Sequence, residues 1–304
     1  MLTAQQRLAM LEPPKGRIDL VIDTDTYNEI DDQFAVAYAL RRGDRLNVQA
    51  LYAAPFLNHR SVSPADGMEK SYQELHRLLT LAGEERPVFR GSPTYLPDEK
   101  TPVHSPAAED LSRRAMAYSP QKPLYVAALG AITNVASALL INPAIAERMV
   151  VVWLGGHALE WLDNREFNLQ QDVAAARVIY GSGTPLVMLP CMGVVSAFTT
   201  TGPELHCWLS GQNALCDYLV RSTVEEAESY AAGKVWSRAI WDVTTIAWLL
   251  NADGSFMLDR LIPTPMPEYA HCWQRRQDSV PCRYVYHIHR DALLGDLFDR
   301  LRGQ

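Results

Sequence analysis

Ten residues, Asp23-Thr24-Asp25-Thr26-Tyr27-Asn28-Glu29-Ile30-Asp31-Asp32, carry five carboxylates and stand between the apolar run Leu20-Val21-Ile22 and an apolar, helix-patterned stretch over 34–40. A short continuous apolar run, a polar turn and then a helical period read as a buried strand feeding a helix. The strand delivers Asp23 and Asp25 to its C-terminal end, and Asp31 and Asp32 open the helix. Five like charges packed there repel one another unless a cation or protons neutralise part of the charge. Acidic side chains also favour the positive end of a helix. Capping accounts for one or two of the five, so the stretch reads as a metal-binding cluster.

The next segments repeat the pattern. Residues 47–54 read as a second strand ending at Pro55, which completes a βαβ unit. The loop over 55–67 leaves the sheet at the strand-end level where parallel sheets bind ligands. Asn58 and His59 are therefore candidates for substrate contact, against the alternative that they are ordinary loop residues. Further helices are predicted over 68–82, 133–140, 172–180, 203–219, 224–232 and 293–301, and further strands over 87–89, 124–129, 150–154, 186–189 and 283–289. A proline-rich stretch over 91–105 is expected to run irregularly. Gly155-Gly156 suggests backbone lying close to something or a tight turn. Glu166 and Asn168 flank Phe167, so they either share one pocket or mark an exposed edge. Glu225, Glu226 and Glu228 read as a solvated face. Asp242 begins an apolar helix, either as its cap or as a distant carboxylate joining the first cluster. His287 and His289 read as surface residues.

The fold class that follows is α/β: one large domain over residues 18–304, with a mostly parallel, Rossmann-like open central sheet flanked by helices, preceded by an N-terminal extension over 1–17. A chain of 304 residues that is 48% hydrophobic can bury such a core. The net charge of -7 argues against a nucleic-acid or acidic-membrane partner and for a small-molecule substrate. Five cysteines, odd in number and without paired spacing, argue against a disulfide framework or zinc site and for reduced thiols in a cytoplasmic protein. No segment reads as a signal peptide or membrane span.

The order of an acidic strand-end loop, a Leu-Gly-x-x-Thr-Asn turn, a Gly-Gly strand end, Glu-Phe-Asn and a late lone Asp resembles the nucleoside hydrolases, calcium-dependent N-ribohydrolases of nucleoside salvage. The resemblance runs from Ile18 nearly to the C-terminus. The family's first motif, Asp-x-Asp-Pro-Gly-x-Asp-Asp, is matched at both ends by Asp23-Thr24-Asp25 and Asp31-Asp32, while Thr26 to Ile30 lengthen its middle by two residues. The resemblance implies that Asp25, Asp32, Asp242 and the Leu129 carbonyl hold Ca2+. It further implies that Asp25 is the general base, that Asp31 and Asn168 bind ribose, and that Glu166 and Asn58 make further contacts. Many members carry a His before the late Asp. Here it is Trp241, as in the purine-specific branch, which implies stacking on a purine base, with His59 or His157 as possible proton donors. Family members are commonly dimers or tetramers, so a homodimer or homotetramer is expected. Asp23 is expected to orient its neighbours, and Tyr27, Asn28 and Glu29 are free to set specificity. Two other readings compete. Leu20 to Thr26 and Gly295 to Asp299 also fit haloacid-dehalogenase-type phosphatases, and the altered loop with its missing His fits a nucleoside-binding protein of weak activity.

Overall fold

The computed structural model describes residues 2–303. Helix α1 (Ala4–Met10) precedes β1 (Ile18–Thr24), α2 (Asp31–Arg41), β2 (Leu46–Ala53), α3 (Pro64–Ala82), β3 (Val88–Arg90), α4 (Pro106–Arg114), β4 (Leu124–Ala128), α5 (Thr133–Ile141) and β5 (Met149–Leu154). A long loop leads to α6 (Phe167–Gln171), α7 (Val173–Gly181) and β6 (Leu186–Leu189). Then follow β7 (Thr199–Thr200), α8 (Gly202–Leu209), α9 (Ala214–Ala231), β8 (Arg238–Ala239) and α10 (Val243–Leu249). The chain closes with β9 (Met257–Pro263), β10 (Met266–Pro267), β11 (Trp273–Gln274), β12 (Pro281–Ile288) and α11 (Arg290–Arg302).

Eight strands form one sheet in the order β3-β2-β1-β4-β5-β6-β12-β9. Every pairing is parallel except that of β9 with β12. Strands β4, β5 and β6 are apolar without a break because both faces are covered. Alternation divides the side chains of β1 and β5 between two cores: Leu20, Ile22, Val150 and Val152 enter one, and Val21, Val151 and Trp153 enter the other. Local signals set several helix ends. Ser63 caps α3 through the Asp66 N–H with Pro64 in the first turn, and Gly83, with φ of 68°, ends it. The segment before β1 is tied to the domain at Leu11 and Arg7: Leu11 is fully buried, its carbonyl accepts from Arg283 Nε at 2.7 Å, and Arg7 donates to the Gly183 carbonyl at 2.6 Å.

The sheet and its flanking helices agree with the fold expected from the sequence. The helices predicted over 203–219 and 224–232 are divided differently. Gly211, with φ of 73°, breaks the first, and Asn213 caps α9 through the Cys216 N–H. Helix α9 then runs unbroken through residue 224. Its acidic face is not wholly solvated, because Glu226 pairs with Arg60. The phosphatase-like motif near the C-terminus is a packing contact. Asp296 accepts hydrogen bonds from the Tyr38 hydroxyl and from Arg42 at 2.9 Å, joining α11 to α2. All five cysteines are free, and no helix among the described residues is long and apolar enough to cross a membrane.

Candidate active site

Strand β1 lies between β2 and β4, so the sheet is built outward in opposite directions from this pair, and a crevice opens at its C-terminal ends. The Leu129 N–H extends the ladder by donating to the Asp23 carbonyl at 2.8 Å. A cavity of about 200 Å³ occupies the crevice. Asp25, Asn28, Glu29, Asp31, Leu129, Glu166, Asn168, Trp241 and Asp242 all line it.

Capping does not explain the carboxylates. Asp31 and Asp32 lie in the first turn of α2, whose cap position is Ile30, and Asp242 occupies the cap position of α10 without a side-chain capping bond. Instead they turn toward each other: one oxygen each of Asp31, Asp32 and Asp242 falls within 4.8 Å of the others. All three are buried, and so is Asp25. Burial, and then mutual repulsion, push Asp31 up to about 6, while burial outweighs hydrogen bonds from Thr24 and Asp242 in pushing Asp32 to about 6. Burial and the neighbouring carboxylates also raise Asp25 and Asp242 well above the ordinary carboxylate range. One oxygen of Asp25 and one of Asp242 are buried without a hydrogen-bond partner. A set of hard, unpartnered oxygens with neither nitrogen nor sulfur among them fits a hard divalent cation. Asp31, expected at the ribose, thus lies within the same tight cluster as Asp32 and Asp242, while Asp25 lines the cavity beside it.

The surrounding residues hold this arrangement. Thr24 Oγ1 donates to Asp32. Asn134 Nδ2 donates to Asp23 at 2.8 Å and to the Ala53 carbonyl at 3.2 Å, so the turn after β4 clamps the ends of β1 and β2. Asp23 is fully buried, does not line the cavity, and is pushed up to about 7 by burial. Asn168 Nδ2 donates to the carbonyls of Leu129 at 2.6 Å and Leu154 at 3.1 Å. Glu166 caps α6, and its oxygens accept from the N–H groups of Gly156 at 2.9 Å, Asn168 at 2.9 Å and Leu169 at 2.8 Å. Glu166 therefore lines the cavity but spends its acceptors on backbone, fixing Asn168. Gly156 answers the question posed by the paired glycines. Its φ is 78°, and a Cβ there would lie 2.6 Å from Trp273.

The remaining expected residues separate. Trp241 is half-buried and lines the cavity beside Asp242. His157 lines it too; burial lowers its pKa, and its Nδ1 faces the Met192 N–H at 3.3 Å. His59 is exposed, and neither it nor Asn58 lines the cavity. Asn58 donates instead to Asn28 Oδ1 at 2.6 Å and accepts from the Arg60 N–H at 2.8 Å. Of the inserted residues, Asn28 and Glu29 enter the cavity, while Tyr27 turns away beneath Arg60. Arg165, Cys191 and Met192 also line the cavity and were not anticipated. The last two follow β6, where the rule that ligands bind at strand ends would have found them.

The chain is 23% identical over 276 residues to the pyrimidine-specific ribonucleoside hydrolase RihA of Salmonella arizonae, a match covering 81% of this chain and 83% of that protein. Its fold is similar to that of a plant nucleoside hydrolase, with a TM-score of 0.75 at 18% identity over 95% of this chain and 100% of the other. It is equally similar to the purine-preferring ribonucleoside hydrolase from Gardnerella vaginalis, with a TM-score of 0.75 at 16% identity over 94% and 98% of the two chains. The profile of the inosine-uridine preferring nucleoside hydrolases matches residues 20–284, which together with the cavity and its carboxylates excludes the phosphatase reading. The chain belongs to this family, whose members are metal-binding hydrolases acting on the N-glycosidic bonds of ribonucleosides.

Proposed function

We propose that this chain is a calcium-dependent ribonucleoside N-ribohydrolase with a purine preference, in which residues 18–304 act as one catalytic domain and the protein assembles as a homodimer or homotetramer. The observation that carries the metal assignment is the cluster of Asp31, Asp32 and Asp242, with unpartnered buried oxygens on Asp25 and Asp242. Asp25, Asp32, Asp242 and the Leu129 carbonyl would hold the ion, which when bound supplies positive charge to a site too acidic to stay ionised alone.

The residues divide the reaction among them. Cleavage of an N-glycosidic bond passes through an oxocarbenium-like sugar. Asp25, which lines the cavity and has one oxygen without a hydrogen-bond partner, accepts the proton of the attacking water. Asp31 and Asn168 orient the ribose through its hydroxyls, and the surrounding carboxylates favour the positive charge that develops on the ring. Trp241 offers a flat apolar face to the base, which supports the purine preference. The pyrimidine specificity of the relative RihA points the other way. A panel of purine and pyrimidine nucleosides, assayed for free ribose with calcium and after exhaustive chelation, tests all three parts. Calcium-dependent ribose release, faster from purines, is expected. No release from any nucleoside would overturn the activity, undiminished release after chelation would overturn the metal, and faster release from pyrimidines would overturn the base preference.

A further inference from the structure

The lengthened acidic loop presents to the cavity a hydrogen-bond donor whose direction is fixed from outside. A backbone N–H can only donate, so the Arg60 N–H, 2.8 Å from the Asn58 side chain, identifies the atom it meets as Oδ1. The other end of that amide, Nδ2, then faces the Asn28 side chain at 2.6 Å, where it requires an acceptor, Oδ1. Asn28 is left with its own Nδ2 group, which meets no acceptor among the described residues, and Asn28 lines the cavity. The main chain is held as well, since the Asn28 N–H donates to the Asp25 carbonyl at 2.7 Å. Two amides in series thus carry the polarity of one backbone N–H to the cavity wall, three residues from the proposed general base.

The carboxylates beside it are of opposite character, and the cavity's cationic donor, Arg165, belongs to a different loop. Asp25, Glu29, Asp31 and Asp242 accept hydrogen bonds, and they suit the hydroxyls of a ribose, which donate. A donor in their midst needs an acceptor on the substrate. The ring oxygen of the ribose does not serve, because it gathers positive charge as the bond breaks. The base does serve, because it departs with the electron pair of the C1′–N bond. Its charge spreads to the acceptor beside the glycosidic nitrogen, N3 in a purine and O2 in a pyrimidine.

We propose that Asn28 Nδ2 donates a hydrogen bond to this acceptor and stabilises the base as it leaves, which makes Asn28 a catalytic residue supplied by the longer loop and Asn58 its positioning residue. The proposal rests on the nucleoside hydrolase reading. The balance is that of hydrolysis: water gives its hydroxyl to C1′ and its proton to Asp25, the departing base takes up one proton in turn, and Asn28 loses none.

The test compares inosine and uridine with p-nitrophenyl β-D-ribofuranoside, whose phenolate leaves without assistance. Asn28→Ala should lower kcat/KM on both nucleosides on the order of 10²-fold and lower that on the nitrophenyl riboside far less. Asn28→Asp, of the same shape but accepting instead of donating, should be worse than the alanine variant on nucleosides. Asn58→Leu, altered outside the cavity, should show the same selective loss in weaker form. Equal losses on all three substrates would reduce Asn28 to a structural part of the loop and overturn the proposal, as would unchanged nucleoside turnover. Wild-type protein that cleaves the riboside but no nucleoside also overturns it. Wild-type protein that cleaves none of the three marks a failure of the hydrolase reading itself, and the proposal falls with it.

Discussion

Gly130 stands so close to Asp25 that a Cβ added to the glycine would lie 2.7 Å from both Cγ and Oδ1 of the carboxylate. The turn after β4 is therefore the wall against which Asp25 rests, and the contact has no room for a methyl group. Gly130→Ala should push the carboxylate aside while the sheet stays intact. Overpacking of this kind costs about 1–3 kcal/mol. A displaced catalytic group loses on the order of 10²-fold in turnover. Circular dichroism should match that of the wild type while ribose release collapses. Wild-type turnover in this variant would mean that Asp25 is not held at this wall during the reaction.

The carboxylates of Asp31, Asp32 and Asp242 crowd together in a fully buried site, so a cation that binds them should stabilise the fold. At a free calcium concentration a hundredfold above its Kd the gain is about 2.7 kcal/mol. Differential scanning calorimetry should show a lower Tm in EGTA than in calcium. Asp242→Asn, which removes one of the three charges, should shrink the difference. Identical transitions with and without calcium would sink the assignment of this cluster as a metal site.

The sequence disclosed what depends on nearest neighbours and left out what depends on distant ones. The strand-loop-helix of Asp23 to Asp32 was legible because its apolar runs and polar turn are contiguous, and Asp242 stood out as one charge opening an apolar helix. The division of the helix over 203–219 is not legible, because a single turn at Gly211 interrupts an otherwise helical period. Asn58 was placed at the right level of the sheet, but the Arg60 N–H two residues on turns its amide away from the cavity. Glu166 was found beside Asn168, yet its three bonds to backbone N–H groups depend on where Gly156 lies. A short polar side chain has several partners within reach, and only the folded chain selects among them.

Asp23 gives a prediction in pH. Burial raises its pKa from 3.8 to about 7 in the folded protein, with the Asn134 bond opposing the shift. Between these values the folded state holds a proton that the unfolded state has lost, so the stability due to Asp23 is greatest below the unfolded value. It falls as pH rises toward about 7 and then levels off. An asparagine in its place carries no charge at any pH. The stability of Asp23→Asn relative to wild type should therefore rise across that window, by at most about 1.4 kcal/mol per pH unit. Urea denaturation of both proteins at pH 5, 6, 7 and 8, values spaced about one unit apart to resolve that slope, measures it. A constant offset would show that Asp23 titrates normally in the fold.

Glu29 and Arg238 offer a test of how the lengthened loop is fastened. Their ion pair joins the loop to β8, and the guanidinium offsets the repulsion of Glu29 by Asp31 that, with burial, raises the pKa of the Glu29 carboxyl. Removing Arg238 leaves Glu29 and Asp31 facing each other with only Arg60 to offset the charge of Glu29. Because the Glu29 side chain is 40% exposed and that of Arg238 14%, solvent screens part of the effect. The coupling should then be about 1 kcal/mol, below the 3–5 kcal/mol lost when a fully buried pair is broken. Arg238→Met should destabilise the protein, and adding Glu29→Gln should recover part of the loss by removing the stranded charge. A double-mutant cycle in urea reads the coupling directly. Strict additivity would show that the pair contributes nothing to holding the loop, and that Tyr27 beneath Arg60 and the Asn28 N–H on Asp25 hold it without help.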